Sequence, residues 1–134
     1  MLITKASEYA LLSLMLIAKK NSSQDVDTLA TTLGISKSFL AKILQSLAKE
    51  GILKSFKGAK GGFMLALEPN KISVKDIIEF AEKKPTTIFE CSPSHSNCPN
   101  NRAEVCTIWP FLNKFQSKID EFLDSMTLAD ILED

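Results

Sequence analysis

Apolar residues recur at helical spacing near the start of the chain. Residues 3–20 carry a broad apolar stripe with no helix breaker inside it, which predicts a first helix. We expect the buried side of this helix to consist of Tyr9, Leu12, Met15, Leu16 and Ala18. Residues 26–33 predict a shorter second helix, with Asp25 or Asp27 as its N-cap and Gly34 at its end.

A third helix is predicted over residues 37–50, with Ser36 as its N-cap and Gly51 at its end. Its apolar side consists of Leu40, Ile43, Leu44 and Leu47. Its opposite side is polar and basic and consists of Lys37, Ser38, Ala41, Lys42, Gln45 and Lys49. Two short helices joined by LGIS are typical of a DNA-binding helix-turn-helix. A helical hairpin with solvated lysines fits the same pattern.

Two apolar runs flank a glycine-rich centre between residues 52 and 67, which predicts a β-hairpin. The glycines of GAKGG can adopt the positive φ angles that its turn requires. A hairpin directly after a helix-turn-helix is typical of the wing of a winged helix, where Lys57 and Lys60 would neutralise DNA phosphates. GAKGG lacks the strand–loop–helix context of a nucleotide-binding loop.

Two more helices are predicted in the second half of the chain. Residues 73–83 form one, capped by Ser73 and closed by Pro85. Its apolar side consists of Val74, Ile77, Ile78 and Ala81. The other begins at Pro110, which the first turn of a helix tolerates, and runs to about Ser125. Its apolar stripe consists of Phe111, Leu112, Phe115, Ile119, Phe122, Leu123 and Met126. So wide a stripe predicts packing against a partner helix in a homodimer, or against its own domain.

These elements predict a mainly α fold with a small β-hairpin. A chain of 134 residues has the usual size of one domain. We expect a winged helix-turn-helix DNA-binding domain over residues 1–84, a cysteine-containing sensor loop over 85–107, and a long dimerisation helix with a C-terminal tail over 108–134.

The charge is unevenly distributed between the two halves of the chain. The formal net charge is zero. Residues 1–67 carry nine lysines and four acidic residues, whereas residues 68–134 carry seven basic and twelve acidic residues. This asymmetry favours a basic half that binds a polyanion, although uneven surface charge explains it equally well.

No segment of the sequence predicts a membrane span or a secretory signal. The longest apolar run, residues 14–18, is far shorter than the roughly 20 residues that a spanning helix needs. Glu8 precedes this apolar stretch, and Lys19 and Lys20 follow where a cleavage site would lie. We therefore expect a cytoplasmic protein with no membrane partner.

All three cysteines and the only histidine lie in the segment CSPSHSNCPNNRAEVC, residues 91–106. In a reducing cytosol, clustered cysteines favour metal binding or redox sensing over structural disulfides. Thiolates suit iron–sulfur clusters and zinc, and the spacing is looser than the CxxC of structural zinc sites. Metal-free thiols remain an alternative. No general base is paired in sequence with a nucleophilic cysteine, which disfavours an enzyme.

The order of these elements resembles the IscR/NsrR family of bacterial winged-helix regulators, the Rrf-two family, over essentially the whole chain. ITKASEYALLSLMLIA resembles its first helix, and LATTLGISKSFLAKILQSLAKEGILKS resembles its helix-turn-helix. The most specific local match is KGAKGGFMLAL, which resembles the glycine-rich wing. The resemblance implies a homodimeric regulator that binds double-stranded operator DNA.

The resemblance also implies an iron–sulfur cluster, of the 2Fe–2S or 4Fe–4S type, held by Cys91, Cys98 and Cys106. Trp109 stands where IscR-type members carry a histidine ligand, so the fourth ligand must come from elsewhere. Regulators of the NsrR type use an aspartate of the first helix, donated across the dimer. This implies Glu8 of the partner subunit as the fourth ligand, with His95 as the alternative.

We expect the start of the third helix to enter the major groove of DNA and the wing to contact the flanking backbone. The predicted DNA-binding residues are Ser36, Lys37, Ser38, Phe39, Lys42, Lys57 and Lys60. Gain or loss of the cluster would move the cysteine loop and shift the dimer between two states of different DNA affinity.

Overall fold

The computed structural model describes residues 3–20, 22–59 and 61–133, which fold into six α-helices and a two-stranded antiparallel sheet. The elements are α1 (Lys5–Ala18), α2 (Val26–Leu33), α3 (Lys37–Lys49), β1 (Leu53–Phe56), β2 (Gly62–Leu65), α4 (Val74–Glu82), α5 (Trp109–Ser125) and α6 (Leu128–Glu133). Short 3-10 turns lie at Pro69–Lys71, His95–Asn97 and Ala103–Val105. The predicted mainly α winged helix-turn-helix with a small hairpin is confirmed.

The helices begin where their capping side chains satisfy free main-chain N–H groups. Asp25, rather than Asp27, accepts from the main chain at the start of α2. Ser36 and Ser73 do the same for α3 and α4. Each such cap is worth about 1 kcal/mol. Gly34 ends α2 at φ 68° in the left-handed region, so the LGIS turn has the geometry that its sequence predicts.

The apolar sides predicted for α3 and α4 are buried in the structure. The side predicted for α1 is confirmed in part, because Tyr9, Met15, Leu16 and Ala18 pack partly buried against the core whereas Leu12 is 40% exposed. The fully buried positions include Ser7, Ala10 and Ser13. α1 lies centrally and contacts α2, α3, α4, α6 and β2. Close helix packing needs small side chains at the contact, so Ala and Ser occupy positions where hydrophobicity alone would place Leu.

The hairpin is held against the start of α2. Its strands pair in register from Leu53 opposite Leu65 to Phe56 opposite Gly62. Gln24 exchanges two main-chain hydrogen bonds with Phe63, of 2.9 and 2.8 Å. Gly62 has φ 139°, and an added Cβ would overlap the carbonyl of Gln24. The missing side chain at this glycine therefore allows the hairpin to contact the helix-turn-helix.

The C-terminal helices pack back onto the N-terminal part of the chain. α5 begins at Trp109, with Pro110 in its first turn as predicted. Leu123 of α5 packs against Val74 and Ile78 of α4. No helix was predicted after α5, yet α6 follows it and buries Leu128 completely in the main core. None of the helices in the described ranges has both the length and the apolarity needed to cross a lipid bilayer.

Candidate nucleic-acid interface and cysteine site

Residues at the start of α3 form the first candidate surface, a groove of about 510 Å³ that we call the α3 groove. Its lining includes four of the predicted DNA-binding residues: Ser36, Ser38, Phe39 and Lys42. The Ser36 and Ser38 hydroxyls lie 3.1 Å apart, and Phe39 is 42% exposed. Hydroxyl, aromatic and ammonium groups thus meet at the end of α3 that is expected to enter the major groove.

Two residues of α1 complete the α3 groove, and the sequence analysis missed both. Lys5 and Tyr9 line it. The Tyr9 ring meets Phe39 edge to face, with ring centroids 5.7 Å apart. The Lys5 ammonium lies 5.9 Å from the Tyr9 ring centroid. Lys5 and Tyr9 are four residues apart and so share one side of α1, which was the available signal.

Lys37 and Lys57, two further predicted DNA-binding residues, do not line the α3 groove. Lys37 forms an ion pair of 2.9 Å with Asp27 of α2. Both side chains are largely exposed, so the pair contributes at most about 1 kcal/mol. Lys57 follows β1 and is exposed. Lys60, the other lysine of the predicted wing contact, lies outside the described residues.

The three cysteines line one cavity of about 580 Å³ at the start of α5, which we call the thiol cavity. Its apolar wall includes Phe89, Val105, Ile108 and Leu112. The sequence-predicted thiolate ligands Cys91, Cys98 and Cys106 are therefore brought together. They do not converge on one point: no group of three or more His, Cys, Asp or Glu side chains in the described ranges could hold a single metal ion.

The sulfur of Cys98 lies beside main-chain N–H groups of the turn that follows it. The Arg102 amide donates to Cys98 Sγ at 3.3 Å. The N–H groups of Arg102 and Asn100 lower the pKa of the Cys98 thiol below its ordinary value. Asn101, at φ 53°, closes this tight turn. The arrangement stabilises a thiolate, which is the form that binds metal and reacts with oxidants.

The two candidates for the fourth ligand lie outside the thiol cavity. Glu8 pairs with Lys5 at 2.9 Å on α1. The His95 ring lies against the Trp109 indole, with centroids 3.6 Å apart. The carboxylate that does line the cavity belongs to Glu90. Glu90 was not predicted as a site residue, although its position next to Cys91 in the sequence indicated that it could lie near the thiols.

Three side chains of α5 form hydrogen bonds with the main chain around the first cysteine. Trp109 Nε1 donates to the Cys91 carbonyl at 2.7 Å, and Asn113 Nδ2 donates to the Ser92 carbonyl at 2.9 Å. The buried Gln116 accepts from the Ile88 amide at 2.8 Å and donates to the Thr86 carbonyl at 2.7 Å. Their spacing of four and three residues places Trp109, Asn113 and Gln116 on one side of α5. We call these three the α5 anchor residues.

A single carboxylate joins the end of α4 to the start of α1. Glu82 Oε1 accepts from the Thr4 amide and hydroxyl and from the Ser7 amide and hydroxyl. Burial raises the pKa of Glu82, but the hydrogen bonds from Ser7 and Thr4 outweigh it and hold this pKa below its ordinary value. The helix that leads into the cysteine segment is thereby fixed to the helix that borders the α3 groove.

Comparison with known proteins shows similarity over nearly the whole chain. The Rrf2 family model, described as an iron-dependent transcriptional regulator, matches residues 3–134. The HTH-type transcriptional regulator NsrR of Bacillus licheniformis is 30% identical over 135 residues, which cover 98% of this chain and 92% of that protein.

Solved structures of regulators share the fold. IscR of T. potens has a TM-score of 0.75 at 27% identity and covers 98% of this chain and 85% of its own. CymR, the global cysteine regulator of B. subtilis, has a TM-score of 0.73 at 28% identity and covers 98% and 95%. The similarity thus includes the cysteine segment and α5 as well as the helix-turn-helix.

Proposed function

Because the chain belongs to the Rrf2 family of transcriptional regulators, we propose that it binds operator DNA as a homodimer whose affinity is modulated by an iron–sulfur cluster. Cys91, Cys98 and Cys106 would hold the cluster. The observation that carries this proposal is that the three cysteines, which are separated along the chain, line one largely apolar cavity. Membership in a family of regulators indicates a role other than catalysis.

The α3 groove supports the DNA-binding part of the proposal. Ser38, Phe39 and Lys42 are presented at the start of α3, where a recognition helix contacts base edges. Lys5, which pairs with Glu8, lines the groove from α1, and Lys57 places a further exposed lysine at the hairpin. Two such surfaces related by a two-fold axis would require a roughly palindromic operator.

The donor set of the thiol cavity fits a cluster better than a single ion. A cluster is larger than one ion, so its ligating sulfurs need not converge on one point, whereas those of a tetrahedral zinc site must. The main-chain N–H group of Arg102 on Cys98 Sγ is the kind of hydrogen bond that tunes cluster potential. A bound cluster would supply chemistry that responds to redox state, nitric oxide or iron–sulfur status.

Three carboxylate or imidazole groups are candidates for the fourth ligand. Glu8 of the partner subunit is our first choice, as the resemblance implied, and its exposure on α1 leaves it accessible to a second chain. His95 would have to leave its contact with Trp109. Glu90, which lines the cavity, is a third candidate.

The α5 anchor residues connect the cysteine segment to α5, the helix that we expect to form the dimer. They bind the main chain of residues 86–92 on one side of α5. The side chains of Phe111, Phe115 and Phe122 are exposed on another side of α5. A change of conformation at Cys91 would therefore reach the helix expected to form the dimer, and could shift the dimer between two states.

Anaerobic purification tests the cluster. We expect a brown protein that contains iron and acid-labile sulfide, and a Cys98→Ser variant that loses both. Ser96→Ala, an exposed change in the same segment, is the matched control and should keep them. A wild-type protein that remains colourless after anaerobic reconstitution with iron and sulfide would contradict the proposal.

A cluster-free thiol sensor is the second candidate, and the environment of Cys98 favours it. Its stabilised thiolate would react with oxidants to a sulfenic acid, which a second thiol can convert to a disulfide. In this case metal-free protein would lose DNA affinity on treatment with peroxide and regain it with a thiol reductant. Mass spectrometry of the oxidised protein would identify the modified cysteine.

A further inference from the structure

A second groove, of about 640 Å³, runs between the outer side of α3 and the C-terminal end of α4. We call it the α3–α4 groove. Lys42 lines both this groove and the α3 groove, so the two surfaces are continuous. Pro85, at the base of the cysteine segment, also lines it. Lys42 is the one sequence-predicted site residue among the described residues that line it.

The described lysines that line the α3–α4 groove outnumber its acidic residues and form no ion pairs with them. Its charged lining consists of Lys42, Lys49, Lys83, Lys84, Glu50 and Glu79. In the described part of the chain, none of these four lysines forms an ion pair; the pairs found there involve Lys5, Lys37 and Lys118. The Glu79 carboxylate instead accepts weak hydrogen bonds from Thr86. Four unpaired ammonium groups along one groove attract an anion.

Lys83 occupies a backbone conformation that favours glycine. It caps α4 at φ 60°, ψ 32°, in the left-handed region. Glycine is the usual residue at such a helix end, and a lysine there carries a steric cost. A strained residue whose charged side chain lines a groove favours a functional explanation.

We propose that the α3–α4 groove binds phosphates of the DNA backbone beside the bases that α3 contacts. This inference rests on the proposed function, because it requires α3 to lie on DNA. Lys42 and Lys49 are two helical turns apart, about 10 Å along α3 at 1.5 Å per residue. An extended row of ammonium groups suits a polyanion with regularly spaced charges, whereas a small anion needs donors that converge on one point.

The test is the salt dependence of binding to a DNA duplex of random sequence, which requires no knowledge of the operator. Each phosphate contact contributes about 0.9 to the slope of log affinity against log salt concentration. Because the proposed homodimer carries each substitution twice, we expect Lys83→Gly and Lys49→Ala each to reduce the magnitude of the slope by about 1.8. Lys71→Ala, which removes an equal charge from the exposed 3-10 turn that contacts α6, should leave the slope unchanged.

Lys83→Gly separates binding from stability. Glycine relieves the left-handed strain, so the thermal midpoint should stay the same or rise while DNA affinity falls. Unchanged slopes in Lys83→Gly and Lys49→Ala would overturn the groove proposal; if Lys42→Ala still lowers the slope, the proposed DNA-binding face stands. A wild-type protein whose DNA affinity does not depend on salt concentration would overturn both the groove proposal and the proposed DNA-binding face.

A site for a small anion is the remaining outcome. It would appear as thermal stabilisation by inorganic pyrophosphate that Lys83→Gly abolishes while the DNA slope stays unchanged. That result would overturn the assignment to the DNA backbone.

Discussion

Two glycines in and beside the hairpin differ in what surrounds them. Gly62 and Gly58 both have positive φ, at 139° and 96°. An added Cβ at Gly62 would overlap the Gln24 carbonyl and lie 2.8 Å from the Asp25 amide nitrogen, whereas one at Gly58 meets nothing within 4 Å. The sequence marks both as turn glycines, but the contact with the start of α2 is visible only in the structure.

This difference predicts unequal effects of the same substitution. Gly58→Ala should cost about 1–2 kcal/mol of unfolding free energy, from backbone strain alone. Gly62→Ala should cost more, because the added methyl group also breaks the two hydrogen bonds between Gln24 and Phe63. Urea denaturation of both variants measures the difference. Equal losses would show that the close approach of the hairpin to α2 contributes nothing to stability.

Among the elements, α5 buries a polar residue that its sequence pattern does not predict. The pattern indicates one broad apolar stripe. In the structure, Leu112, Gln116 and Leu123 are buried within the chain, while Phe111, Phe115 and Phe122 are exposed. A polar residue thus lies among the buried positions, and it is buried because it satisfies main-chain groups of the cysteine segment.

Replacing Gln116 by Leu should loosen the cysteine segment. Leucine keeps the volume of the side chain but leaves the Ile88 amide and the Thr86 carbonyl without their partner, at a cost of about 1–3 kcal/mol. Hydrogen exchange should accelerate at the Ile88 amide while the amides of α3 stay protected. Asn113→Ala removes one bond to this segment and should act more weakly. Unchanged exchange at Ile88 would mean that Gln116 does not hold the segment.

At the level of the whole molecule, the exposed phenylalanines of α5 form a surface that water solvates poorly. Phe111 and Phe122 are each 60% exposed, and the rings of Phe111 and Phe115 lie 5.9 Å apart. A second copy of the chain in a two-fold arrangement would cover this surface with the same surface of its partner. We therefore propose that the chain forms a homodimer through this surface.

Phe122→Glu should convert the proposed dimer to a monomer. A carboxylate in an apolar interface must be desolvated without a partner, whereas in a monomer it remains in water. Sedimentation equilibrium measures the change, and circular dichroism should show an intact fold. Ser117→Glu, an exposed change on another side of the same helix, is the control. A wild-type protein that sediments as a monomer would refute the dimer.

The sequence alone determined the features that depend on near neighbours along the chain. Ser36 and Ser73 cap their helices, because a cap binds amides two or three residues away. The buried sides of α3 and α4 followed from helical spacing for the same reason. Such local signals also gave the order of the elements, and with it the fold and the family.

Only the tertiary structure decided which groups meet across long separations. It showed that small residues are buried on α1, that Lys5 and Tyr9 border the start of α3, and that α6 returns to the core. It also brought the three thiols to one cavity and paired Gln116 with main chain 28 and 30 residues away. These contacts depend on how the helices pack. Hydrophobic periodicity indicates which side of an element is buried, but it does not indicate which other element covers that side.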